Sequence, residues 1–267
     1  MTARDQKPVP LTAPAPTPLL EVSGVDVRFG GVHALRGVDM AVPAGSVTGL
    51  IGPNGAGKTT FFNVVCGLQE AQGGRILLAG GDISGRKAYQ RARLGIARTF
   101  QRLEVFGSMT ARDNVLVAAE VHRRWARTGA DPSAEADRIL DVVGLTAMAD
   151  EQVDAMPTGL ARLVELGRAL ATEPQLLLLD EPSSGLDESE SEEFGRLLTR
   201  LAADGLGVLL VEHDIELVMS VCSRIFVLDF GQILASGTPA EIQRDPLVRA
   251  AYLGVGDQAA EEIAGVG

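Results

Sequence analysis

The sequence predicts an α/β fold built on a largely parallel, buried sheet, and three observations support this prediction. An apolar run at residues 47–51 leads into a glycine-rich loop and then into a helix-like segment. Four consecutive leucines at 176–179 end at a carboxylate, which is typical of a parallel strand buried on both faces. Strand and helix patterns alternate again between residues 176 and 237. The pattern of the sequence therefore predicts an α/β core interrupted by a mostly helical insertion.

Composition excludes some classes of protein. The 267 residues are 46% hydrophobic and carry a formal net charge of −11, which argues against a chain that works by wrapping nucleic acid. Cys66 and Cys222 are too few for a disulfide framework and are expected to be small core residues in a reducing compartment. Neither a signal peptide nor a membrane span is expected.

The predicted segments, strands and helices follow one another along the chain. A flexible, proline-rich segment is predicted at 1–18, and one folded domain at 19–254. Alternating runs broken by glycines before residue 47 predict antiparallel strands. A helix at 58–67, a strand at 73–80, a short helix at 86–94 and a strand at 96–100 follow, before a helical subdomain at about 103–160. Small and acidic residues at 255–267 predict a flexible tail.

The glycine-rich loop predicts a binding site for a nucleoside triphosphate. It matches G-x-x-x-x-G-K-[ST] in the strand–loop–helix setting that this motif requires. Glycines let backbone amides surround a phosphate, and the positive end of the following helix dipole points at the same anion. Lys58 would bridge the β- and γ-phosphates, and the Thr59 hydroxyl would bind Mg²⁺. The predicted nucleotide-binding residues of this segment are Gly52, Pro53, Asn54, Gly55, Ala56, Gly57, Lys58, Thr59 and Thr60.

The leucine strand predicts the catalytic carboxylates. Asp180 and Glu181 follow it directly, and ligands bind at the carboxyl ends of strands in parallel sheets. Asp180 would hold Mg²⁺ through water, and Glu181 would act as the general base toward the attacking water.

With these motifs the sequence resembles the ATPase subunits of ABC transporters. Ser184-Gly185-Leu186-Asp187 matches the family's D-loop, Val211-Glu212-His213-Asp214 its switch-histidine segment, and Arg98-Thr99-Phe100-Gln101 its glutamine loop. The resemblance covers about residues 19–254. It implies a P-loop NTPase (RecA-like) core with an antiparallel β subdomain and a helical insertion.

The resemblance also implies roles for individual residues. Gln101 would reach Mg²⁺ or the attacking water, and His213 would hydrogen-bond the γ-phosphate. Phe29 occupies the place of an aromatic that stacks on adenine, although a core position on a half-buried strand is the alternative. His33 and His122 have no motif around them and are interpreted as incidental.

One motif departs from the family. The usual Leu-Ser-Gly-Gly-Gln signature, which faces the nucleotide of a partner subunit, is replaced here by Met156-Pro157-Thr158-Gly159-Leu160. Pro157 supplies neither an N–H nor a hydroxyl, although it suits the first turn of a helix. We therefore expect a weakened signature and a second ATPase subunit that is not identical to this chain.

Within the superfamily the finer pattern resembles the ATPases of high-affinity branched-chain amino acid importers. This resemblance rests on three segments: RTFQ at 98–101, the segment from His213 to Ile242, and residues 249–254. The implied assembly comprises two ATPase subunits, two membrane permease subunits and an extracytoplasmic solute-binding protein. This chain would lie peripherally on the cytoplasmic face of the membrane. An importer of urea or short amides, an exporter ATPase and a non-transport ABC ATPase are the alternatives.

Two charged segments have competing interpretations. The acidic run 187–193 is expected to be a solvated helix start, because carboxylates complement the helix dipole there. Arg123, Arg124 and Arg127 flank Trp125, the single tryptophan, in the helical insertion. A polar loop with one anchoring aromatic is favoured over contact with a membrane subunit.

Overall fold

The computed structural model describes residues 18–127 and 129–253 and confirms the predicted α/β fold class. The predicted flexible segments 1–18 and 255–267 lie outside the described residues, apart from Pro18. The strands are β1 (Leu20–Phe29), β2 (Val32–Val42), β3 (Val47–Ile51), β4 (Gly73–Leu78), β5 (Gly81–Asp82), β6 (Ile96–Arg98), β7 (Leu176–Asp180), β8 (Gly207–Val211), β9 (Arg224–Asp229) and β10 (Gln232–Gly237).

Helices connect and cover these strands. They are α1 (Lys58–Cys66), α2 (Ala88–Arg93), α3 (Ala111–Ala126), α4 (Pro132–Val142), α5 (Thr158–Leu170), α6 (Glu188–Ala203), α7 (Ile215–Val221), α8 (Pro239–Arg244) and α9 (Pro246–Leu253). Between α4 and α5 the predicted helical region contains two short 3-10 turns, Thr146–Met148 and Val153–Ala155. None of the helices within 18–127 and 129–253 combines the length and apolarity that crossing a bilayer requires.

The larger sheet has six strands in the order β10-β9-β3-β8-β7-β6, and all neighbours are parallel except the edge strand β10. Its central strands are buried on both faces. In β7, Leu177 and Leu179 belong to one hydrophobic cluster and Leu176 and Leu178 to another. Because side chains alternate along a strand, the leucine run serves two layers of core at once.

The predicted antiparallel strands form a second sheet in the order β2-β1-β4-β5. Strands β1 and β2 are a hairpin in which Phe29 pairs with Val32. The predicted strand at 96–100 is shorter than expected, since β6 ends at Arg98. Thr99 still donates its backbone N–H to Leu178, and the chain then leaves the sheet toward the helical segment.

Both cysteines are buried, as predicted, and the acidic run does begin a helix. Asp187 is the N-cap of α6, and its side chain accepts a hydrogen bond from the backbone of Glu190. The Glu190 side chain accepts a bond from the Asp187 backbone in return, which completes a capping box.

Candidate nucleotide site

The predicted site residues lie on loops that leave the same edge of the large sheet. Strands β3, β8, β7 and β6 are consecutive neighbours in that sheet. The glycine-rich loop follows β3, His213 follows β8, Asp180 and Glu181 end and follow β7, and Gln101 follows β6. Because parallel strands direct their carboxyl ends to one edge, residues distant in sequence meet there.

The loop between β3 and α1 requires glycine at two positions. A Cβ on Gly52 would lie 2.0 Å from the carbonyl oxygen of Leu228, and one on Gly57 would lie 2.7 Å from that of Ala34. Gly57 also has φ 111° as the N-cap residue of α1. Any larger residue would displace the loop from the neighbouring backbone. The close approach fixes the path by which the chain enters the helix.

Lys58 is buried at the start of α1. Its Nζ donates to the carbonyl oxygens of Gly52 at 2.5 Å and Pro53 at 3.2 Å. Burial lowers the pKa of Lys58 below its ordinary value, against the opposing charges of Glu181 and Asp180. The two hydrogen bonds to Gly52 and Pro53 hold the ammonium group within the curve of the loop.

The three predicted catalytic residues are in direct contact. Glu181 Oε2 accepts a hydrogen bond from Gln101 Nε2 at 2.9 Å, and Glu181 Oε1 lies 2.7 Å from His213 Nε2. Glu181 has φ 51°, an uncommon conformation for a residue with a side chain, and its N–H donates to the carbonyl of Val211. The carboxylate is thus fixed from both sides at the sheet edge.

Asp180 makes a contact that was not predicted. Its carboxylate is buried at the end of β7, and Oδ2 accepts a hydrogen bond from Arg98 Nη2 at 2.8 Å. In the sequence, Arg98 belongs only to the glutamine-loop motif, and no role is predicted for it. No local pattern could have indicated it, because the two residues are 82 positions apart.

The predicted metal residues suit Mg²⁺ by their chemistry. Thr59 in the first turn of α1 is exposed, Gln101 supplies an amide oxygen, and Arg98 uses only one oxygen of Asp180. These are hard oxygen donors, and proteins bind Mg²⁺ through one or two carboxylates together with substrate phosphates. Within the described ranges, no group of three or more His, Cys, Asp or Glu side chains is arranged to hold a metal ion.

Glu212 is a second residue whose role was not predicted. It is buried beside His213, and its carboxylate accepts the backbone N–H of Ser183 at 2.7 Å and of His213 at 2.9 Å. Burial raises the pKa of Glu212, against the lowering effect of these amide hydrogen bonds. One carboxylate therefore joins the loop after β7 to the loop after β8.

Helix α5 braces the backbone around Gln101. Arg162 donates to the carbonyls of Phe100 at 3.0 Å and Gln101 at 2.8 Å. Glu165 accepts from the N–H groups of Phe100 and Glu104, and burial raises its pKa. The two side chains also form a buried ion pair at 3.3 Å. We refer to Arg162 and Glu165 as the α5 brace.

The segment that replaces the usual signature starts α5. Pro157 is its N-cap residue, and no side chain caps the helix. A Cβ on Gly159 would lie 2.9 Å from Leu186, and one on Gly185 would lie 3.3 Å from Thr158. The start of α5 therefore packs closely against the loop that follows β7.

A cavity of about 520 Å³ opens over the glycine-rich loop. Phe29 is not among its lining residues and is 47% exposed at the end of β1. His33 does line the cavity, with its Nε2 2.7 Å from Asp26 Oδ2. The lining comprises Gly31, Val32, His33, Ala34, Arg36, Asn54, Gly55, Ala56, Gly57, Lys58, Thr59, Thr60, Gln101, Glu181, Val211, Phe230 and Gly231.

His122 and the arginine-flanked Trp125 lie on α3, and Arg127 follows directly after it. His122 is buried, and its ring meets that of Trp125 edge-on with centroids 4.6 Å apart. Arg124 and Arg127 are exposed and line a shallow cavity together with Trp125. The prediction of a polar loop was therefore wrong for Arg123, Arg124 and Trp125, which belong to the helix, although Trp125 does pack against an aromatic neighbour.

Comparison with known proteins identifies the family. The model described as "ABC transporter" matches residues 35–184, and that described as "Branched-chain amino acid ATP-binding cassette transporter" matches residues 232–258. The high-affinity branched-chain amino acid transport ATP-binding protein BraF of Pseudomonas aeruginosa is 40% identical over 250 residues, covering 89% of this chain and 98% of BraF.

Other relatives extend the comparison. LivG of Escherichia coli K12, of the same description as BraF, is 38% identical over 89% of this chain and 98% of its own. The lipopolysaccharide export system ATP-binding protein LptB of Acidithiobacillus ferridurans is 38% identical over 88% of this chain and 97% of its own.

The fold comparison agrees with the sequence comparison. A crystal structure of a nucleotide-free ATP-binding cassette from an ABC transporter superposes with a TM-score of 0.81 at 29% identity, covering 90% of this chain and all of that one. With the phosphate loop, the paired carboxylates and the Gln101–Glu181–His213 contact at one sheet edge, these matches show that the chain belongs to the ABC transporter family as a nucleotide-binding ATPase subunit.

Proposed function

We propose that this chain is the ATP-hydrolysing subunit of an ABC importer that energises uptake of branched-chain or related amino acids. The observation that carries the proposal is the match of residues 232–258 to the branched-chain amino acid model, which lies outside the general cassette match. In the described part of this segment, Ile242 and Val248 are buried in the hydrophobic core. The segment is therefore integral to the cassette.

Hydrolysis would proceed at the sheet edge. The loop 52–60 and Lys58 would bind the phosphates, Glu181 would accept a proton from the attacking water, and His213 would contact the γ-phosphate. Thr59, Gln101 and Asp180 would hold Mg²⁺, which neutralises charge on the phosphates. The carboxylate of Glu181 suits the role of base because two neighbours already fix its orientation.

The second ATP site of the assembly would be unequal to the first. The start of α5 offers no side-chain cap and carries Pro157 and Leu160 where a serine and a glutamine are usual. Its helix dipole would still favour an anion. We propose that a non-identical ATPase subunit completes the site of this chain, while this chain donates the weaker signature to its partner.

The remaining subunits follow from the proposed importer. Two membrane permease subunits and an extracytoplasmic solute-binding protein would complete it, with this chain held on the cytoplasmic face of the membrane. The solute could instead be urea or a short amide, since the ATPase does not touch it. The similarity to a lipopolysaccharide export ATP-binding protein favours an export role as the second candidate, and the match at 232–258 favours import over it.

Copurification and uptake together test this proposal. A tagged full-length chain should copurify with multispan membrane proteins, and cells lacking the chain should lose saturable uptake of radiolabelled leucine. Wild type should restore uptake and Glu181→Gln should not, at equal expression. Normal leucine uptake in the deletion strain would refute the proposed solute class. Copurification with nucleic acid instead of membrane proteins would refute transport.

A further inference from the structure

Arg98 connects three parts of the nucleotide site through one buried side chain. Its Nη2 donates to Asp180 Oδ2 at 2.8 Å, and its Nη1 donates to Asn63 Oδ1 on α1 at 2.6 Å. Its own strand leads to Gln101 three residues later. The Arg98 and Asp180 side chains are only 7% and 6% exposed.

Two aromatic rings lie against the guanidinium group of Arg98. Its central carbon lies 5.4 Å from the ring centre of Phe62 on α1 and 4.9 Å from that of Phe100. Such stacking is favourable for a cation, and a planar fork that is stacked and doubly hydrogen-bonded has one orientation. Asp180 therefore faces a charge whose position is set by α1 and by the glutamine loop.

A purely structural explanation accounts poorly for this arrangement. Burying two charges is costly, and apolar replacements of buried ion pairs often leave stability unchanged or improve it. Arg98 Nε moreover lies buried without a hydrogen-bond partner among the described residues. Arg91, a neighbouring buried arginine, instead donates to backbone carbonyls, those of Val64, Val65, Ser84 and Arg86.

We infer that Arg98 is a positioning residue of the ATP site. It holds Oδ2 of Asp180, so that the other carboxylate oxygen would be the one to bind Mg²⁺, and it ties the orientation of Asp180 to α1, which carries Lys58 and Thr59. The inference rests on the proposed function, since it assigns Asp180 to Mg²⁺. Groups that orient a metal-binding side chain from outside typically change metal affinity by about 10- to 100-fold when they are replaced.

Metal binding to the full-length chain tests the role directly. Arg98→Lys keeps the charge but loses the planar fork, and Arg91→Lys is the matched control for replacing a buried arginine. With ADP present, Mn²⁺ binding measured by electron paramagnetic resonance should weaken about tenfold in Arg98→Lys and remain as in wild type in Arg91→Lys. Metal-free binding of ADP should be unchanged in both variants.

Two further variants distinguish an effect on the metal site from a general folding defect. Asn63→Ala removes the tie to α1 and leaves the ion pair, so it should weaken Mn²⁺ binding less than Arg98→Lys but in the same direction. Arg98→Met removes the charge and should weaken it at least as much as Arg98→Lys. In turnover assays, Arg98→Lys should need more Mg²⁺ and show a lower kcat at an unchanged KM for ATP.

Each contrary outcome has a distinct meaning. If Arg98→Lys and Asn63→Ala bind Mn²⁺ as tightly as wild type but are less thermally stable, Arg98 has only a structural role. Tighter Mn²⁺ binding in Arg98→Met would mean that Arg98 competes with the metal, and it would overturn the inference. Failure of wild type to bind Mn²⁺ with ADP would instead refute the proposed metal–nucleotide site itself.

Discussion

The carboxylate of Glu181 lies 2.7 Å from Nε2 of His213, while its other oxygen accepts a bond from Gln101. Glu181 is thus the centre of a contact that joins the loops after β6, β7 and β8. Its positive φ is the backbone conformation in which this contact is made.

Glu181→Gln should retain ATP binding and lose most turnover. An amide cannot accept the proton of the attacking water, and loss of a general base typically lowers the rate by about 10²- to 10⁴-fold. The measurements are steady-state hydrolysis and equilibrium nucleotide binding in the assembled complex. Glu193→Gln, on the exposed side of α6, is the matched control and should be active. Near-normal hydrolysis by Glu181→Gln would remove Glu181 from the role of base.

Gln101→Ala and His213→Ala should be non-additive in turnover. Both substitutions release the same carboxylate, so the double variant should lose less than the product of the two single losses. Residues in one hydrogen-bond network typically couple by about 0.5–3 kcal/mol. His33→Ala is the control, because His33 lines the cavity but contacts Asp26 rather than Glu181. Additive effects of Gln101 and His213 would contradict the shared contact.

Glu212→Gln should remove a pH dependence of stability. Burial raises the folded-state pKa of Glu212 above the ordinary value of 4.5, so the folded state binds more protons than the unfolded state in that interval. The contribution of Glu212 to the free energy of unfolding is therefore greatest below pH 4.5 and declines as pH rises through the folded-state pKa. Urea denaturation of both proteins at several pH values measures the difference. A difference that grows with pH would contradict this sign.

Neither cysteine should react with thiol reagents while the chain is folded. Burial raises the pKa of the Cys222 thiol to about 12, and burial also raises that of Cys66. The thiolate is the reactive form, so at pH 8 native protein should show almost no reaction with Ellman's reagent. Unfolding in guanidinium should release both thiols. Rapid labelling of one thiol in the native protein would show that its surroundings open readily.

Pro157→Ser combined with Leu160→Gln should increase turnover at the partner's site. The serine would offer a side-chain cap at the start of α5, where none is present, and a hydroxyl toward the partner's nucleotide. Glu181→Gln in this chain silences its own site, so the residual hydrolysis of the assembled pair reports the other. Equal turnover at the two sites of the assembly that carries the original Pro157 and Leu160 would contradict the proposed asymmetry.

Much of the fold could be predicted because its signals are local. The leucine run of β7, the loop at 52–59 and the alternating strands before β3 each indicate their structure within a dozen residues. The interruption of the helical segment by 3-10 turns was not predicted, because short turns leave little periodicity. Strand β6 ends at Arg98 although β7 continues to Asp180. The backbone at Phe100 is instead held by Arg162 and Glu165, and no local pattern encodes contacts with residues so distant in sequence.

The site could be predicted in part for the same reason. Motifs indicated Lys58, Asp180, Glu181, Gln101 and His213, but the residues that hold them are distant in sequence. Arg98, Glu212 and the α5 brace act on groups 29 to 82 positions away, apart from the adjacent His213 amide. Phe29 illustrates the converse, since its place in the motif did not bring its side chain into the lining of the cavity. Its adenine-stacking role stays a prediction.

The α5 brace has a consequence for the order of events in a transporter. Arg162 lies one turn beyond the start of α5 and holds the carbonyls of Phe100 and Gln101. Hydrogen bonds thus join the loop that reaches this chain's own Glu181 to the end of α5 that would face the partner's nucleotide. In the proposed assembly we therefore expect a displacement of the Gln101 loop at one site to be passed to the partner's site through α5, so that the two sites would not hydrolyse ATP independently.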